Sequence, residues 1–252
     1  MSFEVAAEAY DLFMGRFSIP LAGLFVEAGG VRRGQRALDV GCGPGALTAE
    51  LVARLGPADV TAVDPSAPFV AAATSRFPGV DVRTASAESL PFPDDSFDLV
   101  LAQLVVHFMA DPVAGLREMG RVARAGATLG ASVWDHGGGR GPLSPFWRAA
   151  LDLDPSVVDE SGQAGATEGR LADLCTEAGL VDVRPTVLTV TVRYDSFEQW
   201  WEPYTFGVGP AGDHLKGLTD EHAAALRARC TELMPPAPFD VVAAAWTVLA
   251  RA

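Results

Sequence analysis

Short apolar runs alternate with helical patterns over residues 36–134, and this alternation limits the folds that are open to the chain. The predicted strands are Arg36–Val40, Asp59–Val63, Val80–Thr84, Phe97–Ala102 and Thr128–Trp134. The predicted helices between them are Ala46–Leu55, Ser66–Ser75 and a segment from Pro112 to about Arg124. Strands that alternate with helices indicate a mostly parallel sheet with helices on both faces, which is a doubly wound, Rossmann-like α/β fold.

The pattern changes after residue 135. The segment His136–Pro142 is rich in glycine, and residues 155–168 are small and polar, which predicts a loop. Val181–Val192 and Phe239–Leu249 have strand composition, and we expect them to form an antiparallel pair that brings the sheet to seven strands. The aromatic-rich segment between them, at about 195–238, is expected to form a helical cap over the functional site.

Composition narrows the classes of partner. The formal net charge of −13 over 252 residues repels a phosphate backbone, so no nucleic-acid partner is expected. No apolar run is long enough for a membrane span, and the chain does not begin with a secretory signal. The three cysteines, Cys42, Cys175 and Cys230, lie far apart without metal-binding spacing, which suggests buried, reduced thiols. These features predict a cytoplasmic protein without a metal site, and they leave its oligomeric state open.

A glycine-rich loop follows the first predicted strand. Residues 37–45 read ALDVGCGPG, and the glycines at 41, 43 and 45 allow a sharp turn and a close approach to a ligand. The next helix presents the positive end of its dipole, which suits a carboxylate. Asp39 places a carboxylate at the end of an apolar strand, where it is costly unless it meets a cation. The α-ammonium of an amino-acid ligand would be such a cation.

Acidic residues also follow the next two strands. Asp64 ends the second strand, where its carboxylate can accept hydrogen bonds from both hydroxyls of a ribose. Glu88 lies in the segment Ala85–Pro91, which follows the third strand. In a doubly wound sheet these strand ends converge where the strand order reverses, so we expect a single site there.

Four motifs, which occur in order, resemble the class I S-adenosylmethionine (SAM)-dependent methyltransferases, in the small-molecule group that includes the quinone-biosynthesis enzymes. The motifs are Leu38–Gly45, Ala62–Ser66, Ala87–Phe92 and Ser96–Val100, within a similarity that covers residues 10–134. The resemblance implies that SAM is the cofactor. The turn at Arg124–Ala127 departs from the family, which usually has Lys-Pro-Gly-Gly there.

The resemblance also implies a role for individual residues. Methionyl contacts would come from Asp39, Gly41 and Gln103, ribose contacts from Asp64, and adenine contacts from Pro65, Ser66, Ala87 and Glu88. The segment 10–16 is similar to the family's N-terminal lid, in which Tyr10 and Arg16 would close over the cofactor and pair with its carboxylate. With Gly43 in the turn, these residues are the predicted cofactor site. The predicted units are a helical lid at 1–30, a SAM-binding core at 31–135 and the remainder at 136–252.

The implied reaction is direct, in-line methyl transfer to a small, partly apolar molecule, and it needs neither a metal nor a covalent enzyme intermediate. His107 and His136 are candidate general bases near strand ends. The alternative for His107, which lies in an apolar run, is core packing. An aromatic cluster of Trp200, Trp201, Tyr204 and Phe206 either packs the cap or lines an acceptor pocket.

Two other functions are compatible with parts of the pattern. An NAD-dependent oxidoreductase also has glycines spaced as in Gly41–Ala46 and an acid at the position of Asp64. Asp39 argues against it, because a dinucleotide has no ammonium group to neutralise that carboxylate. A non-catalytic SAM-binding protein with the same fold is the second alternative, since the catalytic residues of the family are not fixed.

Overall fold

The computed structural model describes residues 10–252 and shows a seven-stranded sheet with strand order β3-β2-β1-β4-β5-β7-β6. The strands are β1 Ala37–Val40, β2 Val60–Asp64, β3 Asp81–Thr84, β4 Phe97–Gln103, β5 Ala123–Trp134, β6 Val181–Tyr194 and β7 Phe239–Arg251. Strands β1 to β5 pair in parallel, whereas β7 is antiparallel to both β5 and β6. The predicted fold class is confirmed, with the reversed strand one position in from the edge.

Helices cover both faces of this sheet. They are α1 Arg16–Ala28, α2 Ala46–Leu55, α3 Ala67–Arg76, α4 Pro112–Val122, α5 Ser144–Leu153, α6 Arg170–Glu177, α7 Phe197–Trp201, α8 Gly209–Gly217 and α9 Asp220–Leu233. A π-helical turn, Asp11–Gly15, leads into α1, and short 3-10 helices occur at Val106–Phe108 and Glu202–Phe206. The first nine residues of the predicted lid lie outside the described residues.

Local sequence accounts for the main helix boundaries. The Asp111 side chain accepts a hydrogen bond from the backbone N–H of Ala114, and Pro112 follows it at the first position of α4, so both residues favour a helix start there. In α9 the Thr219 hydroxyl caps in the same way, accepting from the N–H of His222. Observed and predicted boundaries in the first half of the chain mostly agree to within one or two residues.

Strand β5 begins at Ala123 rather than at Thr128, and the unusual turn sequence explains the difference. The Arg124 guanidinium donates to the Asp98 carboxylate at 2.5 Å and to the backbone carbonyl of Asp95 at 3.2 Å. These bonds hold the turn beside β4, where Ala123 pairs with Phe97 before an irregularity in the register. The turn that departs from the family sequence is therefore part of β5 and leaves the sheet intact.

Three layers of apolar side chains hold the elements together. On one face α4 and α6 pack on the sheet through Leu116, Met119 and Leu171, and on the other face α1 and α2 pack through Phe25 and Leu51. A third cluster joins α1 to the helices between β6 and β7. Its aromatic members include Phe13, Phe17, Phe146, Trp147, Trp200, Trp201 and Tyr204. The sheet is thus covered on both faces, and the third cluster places helices beyond the carboxyl ends of the strands.

The three cysteines are buried and free, as predicted. Within residues 10–252, no helix has the length and apolar character needed to cross a membrane.

Candidate functional site

A cavity lies at the carboxyl ends of β1, β2 and β4, and we call it the first cavity. Its lining includes Tyr10, Asp39, Gly41, Gly43, Asp64, Pro65, Ser66 and Gln103, all of which belong to the predicted cofactor site. Ser18 of α1 and Phe69 of α3 complete part of the wall. The structure therefore brings together residues from two of the four sequence motifs, Leu38–Gly45 and Ala62–Ser66, with Tyr10 and Gln103, at the point where the strand order reverses.

Asp39 is the more deeply buried of two buried acids that line the first cavity. Its Oδ2 accepts a hydrogen bond from the Thr48 hydroxyl at 2.6 Å, and its Oδ1 has no hydrogen-bond partner within residues 10–252. Burial raises the pKa of Asp39 to about 7, against the lowering effect of the bond from Thr48. A buried carboxylate with an unused oxygen is stabilised by a cation, so this position suits a ligand that carries an ammonium group.

Asp64 connects the end of β2 to the glycine-rich loop. Its Oδ2 accepts from the backbone N–H of Gly43 at 2.9 Å, and its Oδ1 accepts from the N–H of Ser66 at 2.8 Å. Burial raises the pKa of Asp64, and these two backbone bonds oppose the shift. Because each carboxylate oxygen has two acceptor sites, Asp64 keeps capacity for the hydroxyls of a ligand.

The three glycines of the loop are required for different reasons. A Cβ at Gly41 would lie 2.4 Å from the Val105 side chain, and one at Gly45 would lie 2.2 Å from the Phe77 ring. At Gly43, by contrast, no atom lies within 4 Å of the ideal Cβ position among the described residues. The missing Cβ at Gly41 and Gly45 thus makes room for protein side chains, whereas at Gly43 it faces free space. That the loop approaches a ligand closely stays a prediction.

Gln103 adds further polar groups at the end of β4. Its amide nitrogen donates to the backbone carbonyl of Ser18 at 2.9 Å. In the part of the chain that the structure describes, Gln103 Oε1 and Ser18 Oγ are buried without hydrogen-bond partners. Together with Asp39 Oδ1, they are polar atoms of cavity-lining residues that a bound ligand could satisfy.

Three predicted cofactor residues are not brought into the first cavity. The Arg16 guanidinium lies over the Tyr194 ring, 5.3 Å from its centroid. Ala87 is buried in the core beneath α4. Glu88 Oε1 accepts from the N–H groups of Ala110 and Asp111, at 2.8 and 3.3 Å, and holds the loop before α4. These contacts give Arg16, Ala87 and Glu88 structural roles in this conformation.

A second cavity, of about 40 Å³, adjoins the first. Its lining residues are Tyr10, Phe13, Met14, Leu104, His107, Phe108, Trp134, His136, Leu143, Glu160, Val208, Gly209 and Pro210. Tyr10, Leu104 and Phe108 line both cavities. The second cavity is largely apolar and aromatic, and both candidate bases belong to its wall.

Both histidines of the second cavity are neutral at pH 7. Burial lowers the pKa of His107 well below its usual value, and the nearby His136 lowers it further. Burial lowers the pKa of His136 to about 4, although Asp159 and Asp135 partly oppose this. Within the described residues, His107 Nδ1 and His136 Nε2 are buried without hydrogen-bond partners. The two ring centroids are 6.0 Å apart.

Glu160 is a site residue that the sequence analysis missed. Its Oε2 accepts a hydrogen bond from the Trp147 indole N–H at 2.8 Å, and its Oε1 lies 4.0 Å from His136 Nε2. Burial raises the pKa of Glu160 to about 7. It belongs to the segment predicted as a small polar loop, and no local motif distinguishes it from a solvated acid.

The aromatic cluster between β6 and β7 packs the interior of the cap. Tyr204 stacks on Phe146 at 4.6 Å and makes an edge contact with Phe13 at 4.9 Å between ring centroids. Trp200 and Trp201 are buried around it. None of these tryptophans is part of the second-cavity wall, to which the cap segment contributes Val208, Gly209 and Pro210. Of the two interpretations of this cluster, the structure favours packing.

Comparison with known proteins relates this geometry to characterised families. A model of the methyltransferase domain matches residues 38–130. An uncharacterised protein of Mycobacterium tuberculosis is 30% identical over 218 residues, which cover 81% of this chain and 78% of that protein. A demethylmenaquinone methyltransferase of Beutenbergia cavernae is 35% identical over 131 residues, which cover 50% of this chain and 54% of that enzyme.

A solved structure shares the whole fold. It is a SAM-dependent methyltransferase of Thermotoga maritima, described as a possible histamine N-methyltransferase, with 19% sequence identity and a TM-score of 0.58. The superposition covers 97% of this chain and 93% of that one. At this identity the likeness concerns the fold alone.

Proposed function

The chain belongs to the SAM-dependent methyltransferases, with SAM as its methyl donor, and we propose that it transfers the methyl group to a small, partly apolar molecule held in the second cavity. One observation carries this proposal. The cavity that contains Asp39 and the apolar cavity that contains both histidines share the wall formed by Tyr10, Leu104 and Phe108. Donor and acceptor can therefore be bound side by side.

The first cavity fits SAM by the chemistry of its unused polar atoms. Asp39 Oδ1 and Gln103 Oε1 are buried acceptors without partners within residues 10–252, and they suit the ammonium group of the methionyl end. Asp64 would accept the ribose hydroxyls, and the free space at Gly43 would admit the ligand beside the loop. Pro65 and Ser66 would flank the adenine. Asp39 also separates this function from that of an NAD-dependent oxidoreductase, because a dinucleotide has no ammonium group.

The reaction that we propose depends mainly on positioning. SAM supplies a methyl group on a positively charged sulfur, which an acceptor attacks in line. Burial of the second cavity beneath the π-helical turn and the cap excludes water and restricts the acceptor to a few orientations. His107 or His136, each neutral at pH 7, takes the proton that an acceptor hydroxyl would release.

Two measurements test this proposal. Isothermal titration calorimetry is expected to show binding of SAM and of S-adenosylhomocysteine, and no binding of NADH. Methyl-labelled SAM is then incubated with a panel of small apolar acceptors. Label transfer to any of them supports the enzyme, whereas SAM binding without transfer across the panel would favour a non-catalytic SAM-binding protein. Binding of NADH in place of SAM would contradict the assignment of the first cavity.

A further inference from the structure

Glu160 is an acid of the second cavity for which the described residues provide no cation. Its side chain is buried, and within residues 10–252 its one near-ionic contact is the 4.0 Å approach to His136, a histidine that is neutral at pH 7. The described residues that line the second cavity include no Lys or Arg. A buried carboxylate in this situation is costly unless a positive charge reaches it.

The hydrogen bonds to Glu160 suit its ionised form. The Trp147 indole N–H is a donor and cannot accept, and it points to Oε2 at 2.8 Å. The Gln163 side chain makes a second hydrogen bond that favours the carboxylate. Asp159 is the nearby acid that opposes ionisation, whereas burial is the largest effect against it. The site therefore holds a carboxylate in place without neutralising it.

Aromatic rings form much of the wall around this acid. Tyr10, Phe13, Phe108 and Trp134 all line the second cavity. The faces of aromatic rings attract cations, and the attraction increases when water is excluded. An acid at one point of an aromatic cavity is an arrangement that suits an organic cation better than a neutral or an anionic molecule.

We propose that the methyl acceptor is an amine that enters the second cavity in its protonated form, and that the Glu160 carboxylate binds its ammonium group. This inference rests on the proposed function and specifies its acceptor. The ammonium group donates one proton to Glu160, which becomes a carboxylic acid. The freed nitrogen lone pair attacks the methyl carbon, and the carbon–sulfur bond breaks with its electron pair left on sulfur. The products are a methylated ammonium ion and a neutral thioether.

The competing possibility is a hydroxyl acceptor. His136 would then be the base, and Glu160 would orient His136 through a hydrogen bond. The distance of 4.0 Å between His136 Nε2 and Glu160 Oε1 exceeds a hydrogen bond, so the two groups do not form a connected pair. Glu160 is instead held by Trp147, on α5. The geometry thus favours direct contact between Glu160 and the acceptor.

The test compares three molecules of similar size that differ in charge, using the full chain saturated with S-adenosylhomocysteine. Calorimetry measures the binding of ethylamine, ethanol and acetate at pH 8, because a cavity of about 40 Å³ admits only molecules of a few non-hydrogen atoms. The amine is expected to bind at least tenfold more tightly than the alcohol, and the acid more weakly than either. Glu160→Gln is expected to abolish the preference for the amine while the affinity for S-adenosylhomocysteine stays within twofold.

Glu168→Gln is the matched control, because Glu168 is an exposed acid of the same loop. This variant should keep the preference for the amine. Equal binding of amine and alcohol, a preference that survives in Glu160→Gln, or binding of none of the three molecules would overturn the amine assignment while leaving the methyltransferase proposal in place. Failure of the unmodified chain to bind S-adenosylhomocysteine would overturn both.

Discussion

Asp39 in the first cavity and Glu160 in the second are two buried carboxylates in closely similar environments. Their exposed fractions are 1% and 4%. Each accepts a hydrogen bond from a neutral side chain, at 2.6 Å from Thr48 for Asp39 and at 2.8 Å from Trp147 for Glu160. Burial raises the pKa of each to about 7. Neither has a Lys or Arg partner among the described residues, so a positively charged group of a ligand would stabilise each carboxylate.

The two acids differ in the parts of the fold that hold them. Asp39 is on a central strand, β1, which pairs with β2 and β4, and its donor Thr48 is on the next helix. Glu160 is in a loop, and its donor is on α5, outside the parallel part of the sheet. Sites on strands are held more rigidly than sites on loops, while loops vary more readily. We infer that the fold keeps the methyl donor constant and lets the acceptor vary.

Neutralising Asp39 is the change from which we expect the largest effect. Asp39→Asn should weaken SAM binding about 100-fold, equivalent to about 3 kcal/mol, because the ammonium group of SAM loses its counter-charge. Asp182→Asn alters an exposed acid on β6 and should leave the affinity unchanged. Calorimetry on the three proteins measures the effect. A loss below fivefold would show that Asp39 does not pair with the ammonium group.

The pH dependence of stability should reveal both acids in the ligand-free protein. For each, burial raises the folded-state pKa from its ordinary value near 4 to about 7, so the protonated form is favoured by folding. This contribution to stability is complete below pH 4 and is lost as the pH rises through about 7. Asp39→Asn and Glu160→Gln should therefore each flatten the decline in the free energy of unfolding between pH 5 and 8.

Urea denaturation at four pH values in that range measures this slope, with Asp182→Asn and Glu168→Gln as controls that should follow the unmodified chain. The expected difference at pH 8 is on the order of 2 kcal/mol for each variant. If the free energy of unfolding of Asp39→Asn depends on pH as strongly as that of the unmodified chain, burial does not raise the pKa of Asp39. If this holds for Glu160→Gln and not for Asp39→Asn, only Asp39 has a raised pKa.

Asp39 could be predicted from the sequence because its signal is local. A short apolar run, an acid and a glycine loop follow one another within residues 37–45, and the period of the pattern determines the strand. Glu160 gives no such signal, since its burial depends on Trp147 and on cap residues such as Pro210 that are distant in sequence. A lone acid among small polar residues resembles a solvated loop until the tertiary structure surrounds it.

The loop glycines and Arg16 show a second reason why the sequence does not predict the whole site. The sequence indicates that glycines are needed in the turn, but it does not show that Val105 and Phe77 occupy the space beside two of them. It likewise places Arg16 in a helical lid without determining which way the side chain points. Contacts between helices and strands determine which side chains lie beside the glycines and where the Arg16 side chain points. These contacts cannot be read from a single sequence.

Removing Arg16 is expected to have the smallest effect on the first cavity. The guanidinium lies over the Tyr194 ring and lines neither cavity, so Arg16→Ala should change SAM affinity less than twofold while slightly lowering the melting temperature. Calorimetry and a thermal melt measure the two quantities. Tyr194→Leu removes the ring that holds Arg16 and should likewise leave SAM affinity within twofold. A loss of tenfold or more in Arg16→Ala would show that the start of α1 changes its position when SAM binds and brings the Arg16 guanidinium to the SAM carboxylate. The first cavity, unlike the second, would then bind its ligand through a protein cation as well as through Asp39.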